Sequence, residues 1–148
     1  MARACFDEAV GVNLRGTLIA MKHEIAAMLA RGKGAIVNMS STAGLQGVRG
    51  MSAYSAAKHA VVGATKGAAL DYAARGIRIN AVAPGPILTD RVAALPPERR
   101  ETIVRAVPLG RLGEVGEVAA AVVWLCSDAA SFVTGAVLPV DGGRLAGA

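Results

Sequence analysis

Ser41, Tyr54 and Lys58 are the residues of this 148-residue chain whose types and spacing most directly allow chemistry. Tyr54 and Lys58 stand four apart in Ser52-Ala53-Tyr54-Ser55-Ala56-Ala57-Lys58, which puts both side chains on one face of a helix. A phenol beside an ammonium is an acid/base pair. A free phenol titrates near pH 10 and is a poor base at neutrality; moving it by about three units takes roughly 4 kcal/mol. An ammonium about 4 Å away contributes approximately that much at an effective dielectric near 20. Such a pair can take a proton from a carbinol oxygen or return one to a carbonyl. Ser41 closes the run Ala35-Ile36-Val37-Asn38-Met39-Ser40-Ser41, and its hydroxyl could hold an oxygen within reach of Tyr54.

Hydrophobic periodicity indicates what must position these groups. Phe6, Val10, Leu14, Leu18, Met21, Ile25 and Met28 recur at three- and four-residue steps, predicting one long helix over 6–31 packed on one side. Gly32 and Gly34 stop it. A short buried strand is expected over Ala35 to Ser40, then a glycine-bearing loop from Gly44 to Gly50. Ser52 is placed to cap the next helix, which runs to about Ala74 and ends at Gly76. Its small residues Ala56, Ala60, Gly63, Ala64, Gly67 and Ala68 permit close backbone approach. A second strand, Ile77 to Ala83, stops at Pro84-Gly85-Pro86, where a ladder donor is lost. One or two short helices fall within Thr89 to Ala106. Another apolar stripe, Val118, Ala121, Val122 and Leu125, marks a helix starting at Glu114 or Glu117, and Ala136 to Val140 forms a third strand before Asp141-Gly142-Gly143. This alternation predicts an α/β fold: a partial Rossmann-like doubly wound parallel sheet of about three strands with flanking helices. The chain is expected to form a single domain over 1–148. Its first strand has no preceding strand to pair with, so it should form an exposed edge unless another segment covers it.

Composition narrows the function classes. With 53% hydrophobic and 18% charged residues, the chain can bury a real core and disorder is not expected. Cys5 and Cys126 are far apart and form no ligand pattern, so neither a disulfide scaffold nor a metal site is expected. His23 and His59 lie on different helices without carboxylate or thiolate companions. The net charge of +5 is scattered, and one Trp, two Tyr and two Phe supply too few stacking platforms for a nucleic-acid surface. No apolar stretch is long enough for a membrane span, and the start lacks the apolar run of a secretion signal. A cytoplasmic protein with no membrane or nucleic-acid partner is expected.

The motifs together resemble the short-chain dehydrogenase/reductase family. Asn13 in Val12-Asn13-Leu14-Arg15-Gly16 matches the family's active-site asparagine, and Ser41, Tyr54 and Lys58 match its catalytic serine, tyrosine and lysine. Asn80-Ala81-Val82-Ala83-Pro84-Gly85 matches the segment leading to the nicotinamide pocket, Ile87 and Thr89 match positions near the carboxamide and pyrophosphate, and Asp141-Gly142-Gly143 matches the end of the last strand. The resemblance implies NAD or NADP as cofactor, Tyr54 as acid/base in interconverting a secondary alcohol and a ketone, ribose binding by Lys58, and a proton-relay water near Asn13. It also implies cofactor contacts from Tyr54, Lys58, Pro84, Gly85, Ile87 and Thr89, and a homo-oligomer. Substrate contacts are expected from Ser41, Tyr54, Ala43 and Gln46, with Leu45 and Val48 making the wall mostly apolar.

The family's glycine-rich nucleotide turn has no counterpart here. Gly44, Gly47 and Gly50 follow the strand that already ends in Ser41, and their three-residue spacing differs from the dinucleotide fingerprint. The chain therefore reads as a catalytic portion without its cofactor-binding portion. The alternative reading is a noncatalytic α/β remnant serving as an assembly partner.

Overall fold

In a computed structural model the described residues are 3–147. Three strands, β1 (Gly34–Met39), β2 (Ile77–Pro84) and β3 (Val137–Val140), lie parallel in the order β1-β2-β3. The connections carry α1 (Arg3–Val10), α2 (Gly16–Arg31), α3 (Ser52–Tyr72), the short α4 (Asp90–Ala93) and α5 (Pro97–Arg105), and α6 (Val115–Cys126). The expected open α/β sheet with flanking helices is what forms.

Strand alternation divides the core. Ile36, Ile77 and Ile79 point to the face covered by α2 and α3, where they meet Met21, Ile25 and Ala69. Val37 and Val82 point to the opposite face, where α6 brings Val118 and Leu125. Side chains that alternate along each strand thus fill two layers at once. Fully burying an Ile, Leu or Val contributes about 1.5–3 kcal/mol, and Ile77, Ile79, Leu125 and Val61 are enclosed completely.

Polar residues inside this core act as ties. Asn38 donates to Thr65 Oγ1 at 2.9 Å and to Met21 Sδ at 3.1 Å, while Thr65 donates to the Val61 carbonyl at 2.7 Å. One polar thread therefore crosses β1, α3 and α2. On the other side, Arg78 reaches the Leu125 and Ser127 carbonyls at 2.7 and 3.0 Å, placing a cation at the C-terminal end of α6, where the helix dipole favours one.

The first long helix is not regular. Gly11–Arg15 forms a π turn between α1 and α2, with the Gly16 N–H returning to the Gly11 carbonyl. The steps Phe6 to Val10 to Leu14 to Leu18 are all four residues, wider than the 3.6-residue α turn, and the π turn absorbs the surplus. Even so, Phe6 and Leu18 remain exposed, and the buried stripe starts at Met21. At the head of α3, Met51 occupies the cap position and Ser52 is the first helical residue, so the helix starts one residue earlier than the expected Ser52 cap would give. β2 continues through Pro84; the missing proline donor is bypassed when Gly85 N–H bonds the Val140 carbonyl at 3.0 Å.

β1 lies at the edge of the sheet. A groove of about 290 Å³ runs beside it, between Thr17, Glu24 and Met28 of α2 and the strand residues Ile36 to Asn38. No helix among the described residues is long and apolar enough to cross a membrane.

Candidate active site

The parallel strands all end on the same side, where open α/β sheets bind ligands, and the candidate residues cluster on the segments that follow. Ser40 directly follows β1, and its N–H still bonds the Val82 carbonyl at 2.8 Å. Ser41 is extended, and its Oγ accepts from the Ala43 N–H at 3.1 Å, turning the chain into the single helical turn Thr42–Gly44. A hydroxyl has one donor and two acceptor sites, so accepting from Ala43 leaves the Ser41 O–H free to donate. Ala43 is itself buried, with only 3% exposure, and its amide is what it contributes to this turn. Gln46 is half-buried and Leu45 exposed on the segment that follows.

Tyr54 and Lys58 share one face of α3, as their spacing requires. The Lys58 ammonium stands 5.6 Å from the centroid of the Tyr54 ring, within the range of a cation–π contact. Lys58 is only 7% exposed, unlike a typical solvated helix lysine. Its Nζ donates to the Met39 carbonyl at 2.9 Å, and burial lowers its pKa from the ordinary 10.5. Desolvation disfavours the charged form of a lysine, so this ammonium is held where charge is less stable than in water. Tyr54 is half-buried.

Asn13 lies within the π turn, which packs against α3. Its Nδ2 donates to the Ala9 carbonyl at 3.0 Å, and its own carbonyl accepts from Thr17 Oγ1 at 2.9 Å. A π turn replaces bonds between residues four apart with longer ones, and here two side chains add bonds to the Ala9 and Asn13 carbonyls in and beside it. Such turns occur often at functional sites.

Pro84 and Gly85 end β2 beside the end of β3. A Cβ on Gly85 would stand 2.7 Å from the Asp141 Cα, so glycine is needed for that close approach. Ile87 bridges to Gly113, with Gly113 N–H to Pro86 carbonyl at 3.0 Å and Leu88 N–H to Gly113 carbonyl at 2.8 Å. Thr89 is exposed, and its Oγ1 accepts the Val92 N–H at the start of α4. A cavity of about 310 Å³ opens here among Pro86, Ile87, Arg111, Glu117 and Asp141. Ser41, Tyr54 and Lys58 do not line it.

The structure thus brings Ser41, Tyr54 and Lys58 to adjoining segments at the β1–α3 junction, with Asn13 on a turn packed against the same helix. Pro84, Gly85 and Ile87 follow the neighbouring strand end, and Thr89 sits farther along in a capping role. Sequence reasoning missed the contacts of Met39, Ser40 and Gly44 with Lys58. A backbone carbonyl leaves no trace in residue type, but the paired hydroxyls Ser40-Ser41 at a strand end are a legible signal.

Residues 1–144 match the family model described as enoyl-(acyl carrier protein) reductase. The chain belongs to the short-chain dehydrogenase/reductase family. Among its relatives, cis-4-hydroxycyclohexanecarboxylate dehydrogenase of Sinomonas cyclohexanicum is 49% identical over 143 residues, covering 97% of this chain and 57% of the relative. Cyclohexanol dehydrogenase of Acinetobacter sp. (strain SE19) is 52% identical over 133 residues, covering 90% and 52%. The crystal structure of a putative 2-deoxy-D-gluconate 3-dehydrogenase from Agrobacterium tumefaciens with bound NADP superposes with a TM-score of 0.94 at 40% identity, covering 99% of this chain and 61% of that one. This short-chain dehydrogenase/reductase chain therefore spans just over half the length of the curated relatives it matches.

Proposed function

We propose that this chain carries the proton-transfer and substrate-holding portion of an NAD(P)-dependent oxidoreductase that interconverts a secondary alcohol and a ketone. The observation that carries the reading is the buried Lys58 ammonium 5.6 Å from the Tyr54 ring at the carboxyl end of a parallel sheet. Lys58 fits a dinucleotide ribose: an ammonium has three donors, and the Met39 carbonyl takes one of them. Gly85, pressed against Asp141, and the adjoining Pro84 and Ile87 would border the nicotinamide end, with Thr89 beyond them.

When bound, the nicotinamide supplies the hydride acceptor or donor. The protein's task is to orient the carbinol and move its proton. Ser41 donates to the substrate oxygen with the O–H that the Ala43 contact leaves free. Tyr54 takes the hydroxyl proton in oxidation and returns it in reduction, with the Lys58 ammonium beside its ring. Asn13 holds a relay water near this pair. Ala43 and Gln46, with Tyr54, border the substrate. The two relatives named for cyclohexane alcohols favour a carbocyclic secondary alcohol as the first substrate to try. Residues 1–148 act as one unit in this scheme.

The test combines the chain with NAD or NADP and a panel of secondary alcohols, following reduced nicotinamide absorbance. Turnover that Tyr54→Phe abolishes is the expected result for a catalytically competent protein; unchanged turnover in Tyr54→Phe refutes the acid/base assignment. Assembly is proposed through the outer faces of α2 and α3, because Ala56, Gly63, Gly67 and Leu70 are exposed and a Cβ on either glycine would meet open space. Light scattering should then report a dimer or larger species, and a folded monomer at micromolar concentration would exclude it. The same exposed face favours the second reading, a noncatalytic assembly partner, which predicts association without dinucleotide binding.

A further inference from the structure

We propose that Ser40 and Gly44 are positioning residues that hold Lys58 in register with Ser41, an inference that rests on the acid/base function proposed above. Three consecutive residues at the end of β1 have separate contacts. The Met39 carbonyl accepts from the Lys58 ammonium at 2.9 Å. The Ser40 hydroxyl donates to the Lys58 carbonyl at 3.1 Å. Ser41 turns the chain and presents the candidate substrate hydroxyl. Lys58 is therefore gripped at its side-chain end by the last residue of β1 and at its backbone by the residue that follows it.

Ser40 is only 3% exposed, and a hydroxyl placed there without a partner would be destabilising. Strand alternation explains its direction: Ile36 and Asn38 contact the α2 and α3 layer, and Ser40, two residues further on, does the same. The Lys58 carbonyl lies within a helix, where the N–H one turn later is its regular partner. A carbonyl has a second lone pair, so the Ser40 bond can serve to fix α3 against the strand end.

Gly44 completes the contact. A Cβ built on it would stand 2.4 Å from Ser40 Oγ and 2.7 Å from the Lys58 carbonyl oxygen. Gly44 is not among the residues with positive φ, so glycine is required here by close approach. Any larger residue would push the turn that carries Ser41 away from the helix that carries Lys58.

Lysines labelled with ¹³C at the ε-carbon allow a test in the full chain, which has four of them. The Lys58 signal, assigned by its loss in Lys58→Met, should titrate below the ordinary lysine value of 10.5. Ser40→Ala is expected to raise the Lys58 midpoint by about half a pH unit or more as the ammonium leaves its buried seat, with Gly44→Ala doing likewise. Ser40→Thr keeps the hydroxyl and should remain within about 0.2 unit of the parent. A role in packing alone would lower the melting temperature without moving the midpoint. If Ser40→Ala does not fold, Ser40→Cys supplies similar bulk with a much weaker donor, and the same rise is expected. An unmoved Lys58 midpoint in folded Ser40→Ala, Ser40→Cys or Gly44→Ala overturns the proposal. The measurement needs no dinucleotide: a moved midpoint without nicotinamide binding upholds the positioning role and rejects the proposed function, whereas an unmoved midpoint with Tyr54-dependent turnover does the reverse.

Discussion

The β1–α3 junction and the excursion from Leu88 to Leu112 flank the same end of the sheet but are held in different ways. At the junction, Ser40, Ala43, Gly44 and Lys58 are buried, and contacts connect strand, turn and helix directly. Most of the excursion is exposed, and its order depends on its stems: the Ile87–Gly113 bridge, the Leu109 N–H to Gly142 carbonyl bond at 3.1 Å, and the Arg111–Glu117 pair at 2.6 and 2.8 Å. One region fixes side-chain positions through a core. The other fixes two ends and leaves the middle free to differ. Chemistry that depends on alignment belongs in the first, and a wall that adapts to a substrate belongs in the second.

The largest separation between the regions should appear in kinetics. In a catalytically competent protein, Tyr54→Phe should lower turnover about 10²–10⁴-fold while dinucleotide affinity stays within about twofold. Lys58→Ala should damage both. Leu88→Ala in the excursion should instead redistribute KM among substrates while turnover on the best one persists. If Leu88→Ala lowered turnover as far as Tyr54→Phe does, the division of labour would be wrong.

Stability should separate them next. Asn38→Ala removes a buried amide and the bond it donates to Thr65 Oγ1, which keeps its own bond to the Val61 carbonyl, so urea denaturation should report a loss of about 1–3 kcal/mol. Thr89→Ala removes an exposed cap whose bond is long, 3.4 Å, and should cost about 0.5 kcal/mol. Equal losses would mean that the excursion is as tightly coupled to the core as the junction.

The excursion's own clamp should respond to acid. The Arg111 guanidinium, through paired hydrogen bonds, pulls the Glu117 pKa from its ordinary 4.5 to about 2. Glu117 also accepts from the Glu114 N–H at 2.8 Å, joining this clamp to the head of α6. A carboxyl that ionises more readily when folded stabilises fully above the ordinary value and ceases to do so as pH falls through about 2. Limited proteolysis by an acid-active protease should therefore cut within 91–112 increasingly between pH 4.5 and 2. Glu117→Gln should be cut readily throughout that range while its melting temperature near neutrality changes little, because exposed pairs contribute modestly. Acid-independent cleavage in the parent chain would show that other contacts hold the loop.

The smallest effect belongs to the junction. Burial lowers the Lys58 pKa below 10.5, so the unfolded chain binds more protons in that interval and stability should rise as pH climbs through the depressed value toward 10.5. Lys58→Met should flatten this slope in alkaline denaturation curves. A slope unchanged by the substitution would assign it to other groups.

The sheet and the candidate residues were legible for different reasons. Alternating apolar strands and the Gly32 and Gly76 stops, both left-handed at φ of 70° and 76°, are local signals, and they placed β1, β2 and α3 within a residue or two. The i,i+4 relation of Tyr54 and Lys58 is equally local. The π turn was harder to see, because hydrophobic steps of four fit an α-helix closely enough to conceal an extra residue. The grip on Lys58 is nonlocal: nothing in the types of Met39 or Gly44 says that one offers a carbonyl to an ammonium and the other yields space to a helix backbone. Arg78 is similar, since its role depends on where α6 ends. The pocket wall was least legible, because residue type alone discloses neither the burial of Ala43 in its turn nor the capping of α4 by Thr89.

The three consecutive contacts of Met39, Ser40 and Ser41 also set how the gene can change length. Deleting one residue from β1 while the contacts of Met39 to Ser41 hold would turn every strand residue before the gap to the opposite face, taking Ile36 and Asn38 away from the α2 and α3 layer. Substitutions can be absorbed there one side chain at a time, but a frame-preserving codon loss disrupts the whole set together. Between α4 and α5, at Ala94 to Pro96, an added codon lengthens a connection within an excursion whose ends remain clamped, and the added entropy of a longer loop grows only slowly. Natural length variants of this chain should therefore collect in the excursion and be nearly absent from the strand end.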